Sequence, residues 1–241
     1  MSTSAATILG HLRTVEHERA RRAEVPGLAQ SVASLKTYQQ RRFSHTYADL
    51  LQSVRYGPAS RFFLDELYGP SDFTQRDAQF VRVVPALVRL FPREIVETVA
   101  TLAELHALSE RLDTTMATQL EGDLIGGIEY IRAWQATGRS ADRLAQVSLT
   151  LDVASRLDRF TRRVLVRNSL RLMRGPARAA GLTDLQRFLE AGFDTFREMN
   201  GAEEFISTVD TRERALASAL FEAVSDRVGD PSTKRALAAL P

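Results

Sequence analysis

Apolar residues recur every three or four positions along almost the whole chain, and no stretch alternates apolar with polar residues in the period of a strand. The pattern predicts an all-α protein. A first helix is expected over about residues 4–24, stopping at Val25, Pro26 and Gly27, because proline disfavours helix in the residue before it and glycine ends helices readily. A second is expected from about Leu28 to Arg55. Thr74 with Asp77 reads as an acidic capping box opening a helix that carries Phe80, Val84 and Leu87, with a kink at Pro85.

Pro92 at a first helical position begins a long helix through about Leu120. Gly126 and Gly127 break the pattern, and a short helix with Tyr130, Ile131 and Trp134 ends at Gly138. Ser140 is the expected cap of a helix running to Arg174 and closed by Gly175 and Pro176, and Thr183 with Gln186 forms a capping box for a helix to Asn200. Beyond Gly201, a stripe of Phe205, Ile206, Val209, Leu216, Leu220, Val224 and Val228 marks another helix, and Asp230 before Pro231 starts a short last one. Connections are short and no linker divides the composition. The expectation is a single-domain multi-helix bundle, residues 1–241, of about eight to nine helices.

Between the second and third of these helices, Tyr56, Gly57 and Pro58 recur as Tyr68, Gly69 and Pro70, around the octet FFLDELYG. Both glycines are expected to close helices in the left-handed conformation, with Ser60 capping a short helix from Arg61 to Leu67 that packs Phe62 and Phe63 inward. The run Tyr56 to Phe80 resembles the bacterial FFLEELY motif proteins, an uncharacterised family. Phe62 to Gly69 is the specific match, with Asp65 in place of the usual Glu, and Leu170 to Phe196 is similar to the family's C-terminal part. The resemblance implies coverage of most of the chain. It carries no activity and no catalytic residue with it.

Composition removes several chemistries. With no cysteine there is no disulfide, thiolate nucleophile or iron–sulfur cluster. The N-terminus lacks the pattern of a secretory leader and no window approaches roughly 18 uncharged apolar residues, so the expected setting is cytoplasmic with no membrane partner. All but two of the 32 basic residues are Arg, yet the net charge is only +2. Nucleic acid is therefore disfavoured as a partner, and a homo-oligomer stays open.

No nucleophile elbow, phosphate loop, dinucleotide fingerprint or zinc-protease helix motif occurs. Glu-x-x-His pairs are absent as well. Three constellations stand out. His45 with Asp49, and His106 with Glu110, each put an imidazole and a carboxylate one helical turn apart, the only metal-like spacing in the chain. Glu104 and Asp113 are acids near the second pair. Arg156, Arg159, Arg163, Arg167, Arg171 and Arg174 form a stripe suited to an anion. Residues 94–129 hold eight acids against Arg111, so an internal match between two oppositely charged helices is the competing account of that stripe. Tyr56, Arg61, Tyr68, Arg76 and Trp134 are candidates to line a small-ligand pocket beside the octet, with Arg163, Arg167 and Arg171 as the anion-binding set.

The leading expectation is a non-enzymatic protein that binds a partner or small ligand. Its rivals are an all-α cofactor- or metal-dependent enzyme of heme-oxygenase-like or ferritin-like architecture, and anion or nucleic-acid binding through Arg156–Arg174. The cofactor, if any, is unknown from sequence.

Overall fold

A computed structural model describes residues 5–66, 73–120, 122 and 124–241, and within them the chain forms thirteen helices and no strand. These are α1 (Ala5–Glu24), α2 (Leu28–Thr46), α3 (Ala48–Gln52), α4 (Gly57–Glu66), α5 (Thr74–Leu90), α6 (Arg93–Ala117) and α7 (Gly127–Thr137). They continue with α8 (Ser140–Thr161), α9 (Val164–Leu172), α10 (Arg174–Ala179), α11 (Thr183–Glu198), α12 (Glu203–Glu222) and α13 (Pro231–Ala238). The all-α expectation holds, with more helices than the eight or nine expected, and two of the long predicted helices are each divided.

The first division is at Tyr47, between α2 and α3. There the Arg212 guanidinium donates to the Thr46 carbonyl at 2.8 Å and grips both oxygens of Asp49, so a side chain from α12 satisfies the carbonyl that the break leaves without a helical partner. The second is at Arg163, whose backbone is extended. Buried Asp158 accepts from the Arg162 guanidinium at 2.7 Å and from the Ala202 backbone N–H at 3.1 Å, tying the end of α8 to the start of α12. The Arg stripe therefore does not lie on one continuous helix. Gly175 and Pro176 do not close that helix either; they lie in the first turn of α10, where proline's missing N–H costs nothing.

Several caps differ from expectation. Gly57 does not end a helix in the left-handed conformation; it opens α4, and a Cβ there would lie 2.9 Å from the Leu51 carbonyl oxygen, so the glycine serves a close backbone approach. Ser60 is buried inside α4 and is not its cap. Leu67, Tyr68, Gly69 and Pro70 lie outside the described residues. Thr74 and Asp77 form no capping box, because the Asp77 carboxylate is taken by Arg19 and His106. Gln186 likewise donates to the Leu170 carbonyl and to Glu190 and does not close a box with Thr183, and no side chain caps α8 at Ser140. Asp230 does cap α13, accepting from the Ser232 N–H at 2.8 Å. Val224 and Val228 leave the apolar stripe, since the chain turns at Ala223 and leaves both exposed.

α6 runs through the centre, flanked by α1, α2, α5, α7 and α8, while α12 packs on the far side of α8 and α11 bridges α8, α4 and α5. The apolar residues gather into three clusters. One joins α2, α6, α7, α12 and α13 around Leu35, Tyr130, Ile131 and Leu220. The second joins the end of α2 to α3, α4, α8, α11 and α12 around Tyr47, Phe63, Phe196 and Phe205. The third sets α1 and α5 on the N-terminal half of α6 around Ile8, Leu12, Val84 and Ala103. Phe62 sits on Gly192, where a Cβ would come within 3.0 Å of the ring, and stacks on Phe188 with centroids 5.5 Å apart. Those contacts dock the octet helix on α11.

Candidate functional site

Where the three clusters meet they do not close on one another. The gap is a partly open cavity of about 200 Å³. Leu12, Phe80 and Ala103 reach it from the third cluster, Phe63 and Phe205 from the second, and Trp134 from the first. Native cores are packed with few voids larger than a water molecule, so a gap of this size between packed clusters stands out.

One wall is polar, and α6 supplies its spine. His106, Ser109, Glu110 and Asp113, at positions i, i+3, i+4 and i+7, share one face of the helix and all border the cavity. At the α5 side, His106 Nε2 lies 2.9 Å from Asp77 Oδ2, and Arg19 donates to the same oxygen at 2.6 Å. Burial alone would raise the Asp77 carboxyl, but His106 and Arg19 more than offset it and the group stays below the usual carboxylate range. Asp77 thereby ties His106 of α6 and Arg19 of α1 together at the edge of the cavity wall. Arg76, beside this pair, stands over the rings of Phe73 at 4.0 Å and Phe188 at 4.5 Å.

Midway along α6, Glu110 is gripped by two cations, Arg22 at 2.5 Å and Lys36 at 2.6 Å, while Arg22 also donates to Thr114 Oγ1 and the Glu110 carbonyl. At the far end Asp113 is 7% exposed, and its one hydrogen bond comes from Gln39 Nε2 at 3.1 Å. Burial raises its carboxyl, against the pull of Lys36. Arg143 from α8 lies 4.1 Å above the Trp134 ring and donates to the sulfur of Met116, and Glu213 from α12 accepts from Arg42 and from the Tyr47 hydroxyl. Two donors here lack acceptors among the described residues: the Trp134 indole N–H and the Tyr130 hydroxyl, both in the cavity lining.

Of the candidate residues singled out in the sequence, Arg76 and Trp134 border the cavity, together with His106, Glu110 and Asp113. Tyr56 instead donates to Glu204 at 2.5 Å and packs on Phe205, and Arg61 is exposed and donates to the Leu51 carbonyl. Tyr68 lies outside the described residues. The two His–carboxylate pairs engage separate partners: His45 is exposed beside the Ala238 carbonyl and Asp49 is held by Arg212, far from the Asp77 and Lys36 contacts of His106 and Glu110. Among the described residues no group of three or more His, Asp or Glu is placed to hold a metal ion.

The Arg stripe meets acids from several helices. Arg163 pairs with Glu94 at 2.8 Å and Arg156 approaches Glu97 at 4.0 Å, both on the neighbouring acidic α6. Arg167 and Arg174 turn to Asp194 and Glu190 on α11, while Arg171 is exposed. Lys36, Gln39, Asp77, Tyr130, Arg143 and Glu213 are the cavity residues that sequence reasoning did not assemble. The usable signal was polar residues on apolar faces, such as Arg143 in register with Val147, Thr150 and Ala154.

The fold and the cavity define an all-α protein that holds a partly open chamber with one polar and one aromatic-aliphatic wall. Residues 18–227 match the family described as a domain of unknown function (DUF8198), and the chain belongs to that family. No curated protein and no solved structure matches it. Among the described residues, no helix is long and apolar enough to cross a membrane.

Proposed function

We propose that the protein binds a small amphipathic molecule in the central cavity, its apolar body against the Phe63, Phe205 and Leu151 side and its polar end toward α6 and α7. The observation that carries this reading is a cavity of about 200 Å³ whose wall contains the buried Trp134 indole N–H with no acceptor among the described residues. A void of ~150 Å³ in another protein holds benzene, which sets the occupant here at on the order of ten non-hydrogen atoms. Orphaned buried polar groups cost about 1–3 kcal/mol each, so an occupant that supplies the missing partners stabilises the fold twice over. The same reading takes the chain as a bacterial, cytoplasmic member of the FFLEELY motif proteins, on the strength of the octet at 62–69.

Ala103 is 1% exposed, belongs to the third cluster and borders the cavity. Ala103→Leu fills part of the space. Neutral probes, benzyl alcohol and 1-hexanol, are expected to raise the melting temperature of the wild type and to change the fluorescence of Trp134, the one tryptophan in the chain. The Leu variant is expected to lose both responses while melting within a few degrees of wild type, since filling a true void avoids the ~1–3 kcal/mol cost of overpacking. A variant that responds to the probes as wild type does would refute the cavity as the binding site.

A further inference from the structure

We propose that the end of the cavity between α6 and α7 holds a carboxylate on the occupant, with the Tyr130 hydroxyl and the Asp113 carboxyl donating hydrogen bonds to it. This rests on the reading of the cavity as a ligand site. Asp113 is placed as a donor and not as a counter-ion. It is 7% exposed, it has one hydrogen bond, and among the described residues no cation lies within 4.0 Å of it. An ionised carboxylate so buried carries a desolvation cost that outweighs Gln39 and the more distant Lys36 and Arg143, which favours the neutral acid, and a neutral acid offers an O–H. Burial accordingly pushes this carboxyl above its ordinary range.

Tyr130 supplies the second donor. It is 1% exposed, its ring is stacked on Tyr38 at 4.7 Å, and its hydroxyl is without a partner among the described residues. The charges around the two groups select the sign of the head. Lys36 and Arg42 face them from α2, Arg143 from α8, Glu110 from α6 itself and Glu213 from α12. Both glutamates already hold two donors, Arg22 and Lys36 on Glu110, and Arg42 and Tyr47 on Glu213. A carboxylate entering here meets two donors in a field with Arg143 close by, and it can share the Asp113 proton as paired carboxyl groups do. An ammonium head would be brought up against Lys36, Arg42 and Arg143 with a neutral acid as its nearest acceptor.

Titrations followed by calorimetry and by Trp134 fluorescence test this with three probes that share one body: 3-phenylpropanoate, 3-phenylpropan-1-ol and 3-phenylpropan-1-amine. At pH 7 the carboxylate is expected to bind about tenfold or more tighter than the alcohol, with the amine weakest, as charge-assisted hydrogen bonds require. Tyr130→Phe should cost the carboxylate about tenfold and the alcohol less. Asp113→Asn keeps a donor, so it should retain carboxylate affinity within about threefold while removing the weakening that the wild type shows as pH is raised. Amine binding equal to or tighter than carboxylate binding would overturn the head-group assignment and leave the cavity reading standing, as would a gain of about tenfold or more on Asp113→Asn. Silence from all three probes would overturn both. Should Asp113→Asn fail to fold, the probe series and Tyr130→Phe decide alone.

Discussion

Glu110→Gln is expected to lower stability at neutral pH by about 3–5 kcal/mol, the range for removing one member of a buried ion network and leaving the rest behind. Glu110 is 4% exposed and Arg22 9%, and Lys36 reaches the same carboxylate from α2, so the substitution leaves two cations facing a neutral amide inside the fold. For a chain of this size the melting temperature should fall on the order of 10 °C. The pH dependence has a defined sign. Burial alone would raise the Glu110 carboxyl, but Lys36 and Arg22 bring it down from its ordinary 4.5 to about 2. Its contribution is thus complete above 4.5 and fades as pH falls toward 2, so the wild-type and variant curves should converge in acid. Denaturant titrations across that window check it; a stability gap that stayed constant down to pH 2 would show that the pair is not the source.

The second large effect belongs to Phe63. It stands where the octet helix meets α11 and α12, with ring centroids 5.9 Å from Phe196 and 5.8 Å from Phe205, and it also borders the cavity. Truncation to Ala should cost about 3–5 kcal/mol, toward the upper end because the new void joins one that is already open and cannot collapse. The same change enlarges the chamber, so a bulkier apolar probe such as naphthalene should recover part of the lost melting temperature in Phe63→Ala and little in wild type. A loss below about 1 kcal/mol would mean that the second cluster repacks around the site.

Those two residues also show what the sequence made legible. The Phe62–Phe63 pair was placed inward by helical spacing, and that is where both lie. Helix ends marked by Gly27, Gly138 and Asp230 were readable because each has a local backbone cause: positive φ at the glycines and a side-chain cap at Asp230. The breaks at Tyr47 and Arg163 have no such mark. They depend on Arg212 and Asp158 reaching across the fold, contacts that no local pattern contains.

The sequence pattern makes Glu110 and Asp113 members of an acidic helix facing the Arg stripe. That adjacency exists, but among the described residues only Arg156 and Arg163 of the stripe approach α6 acids. The buried acids turn instead to Arg22, Lys36 and Gln39, because α1 and α2 pack on that face of α6. A periodicity argument assigns charges to solvent, so it hid the polar wall. The cavity itself could not be read at all, since it exists only where three separately well-packed clusters fail to merge.

A chamber of about 200 Å³ has a size limit, and that limit is the most direct test of ligand binding there. The affinity of straight-chain alcohols for the wild-type protein, read from Trp134 fluorescence, should rise about fourfold per methylene, as ~0.8 kcal/mol per buried CH₂ requires, and then collapse once the chain exceeds on the order of ten non-hydrogen atoms. In Ala103→Leu the collapse should come earlier. An affinity that climbs with chain length without a break, or a Trp134 signal that never saturates, would contradict an internal site and place the apolar contacts on the surface.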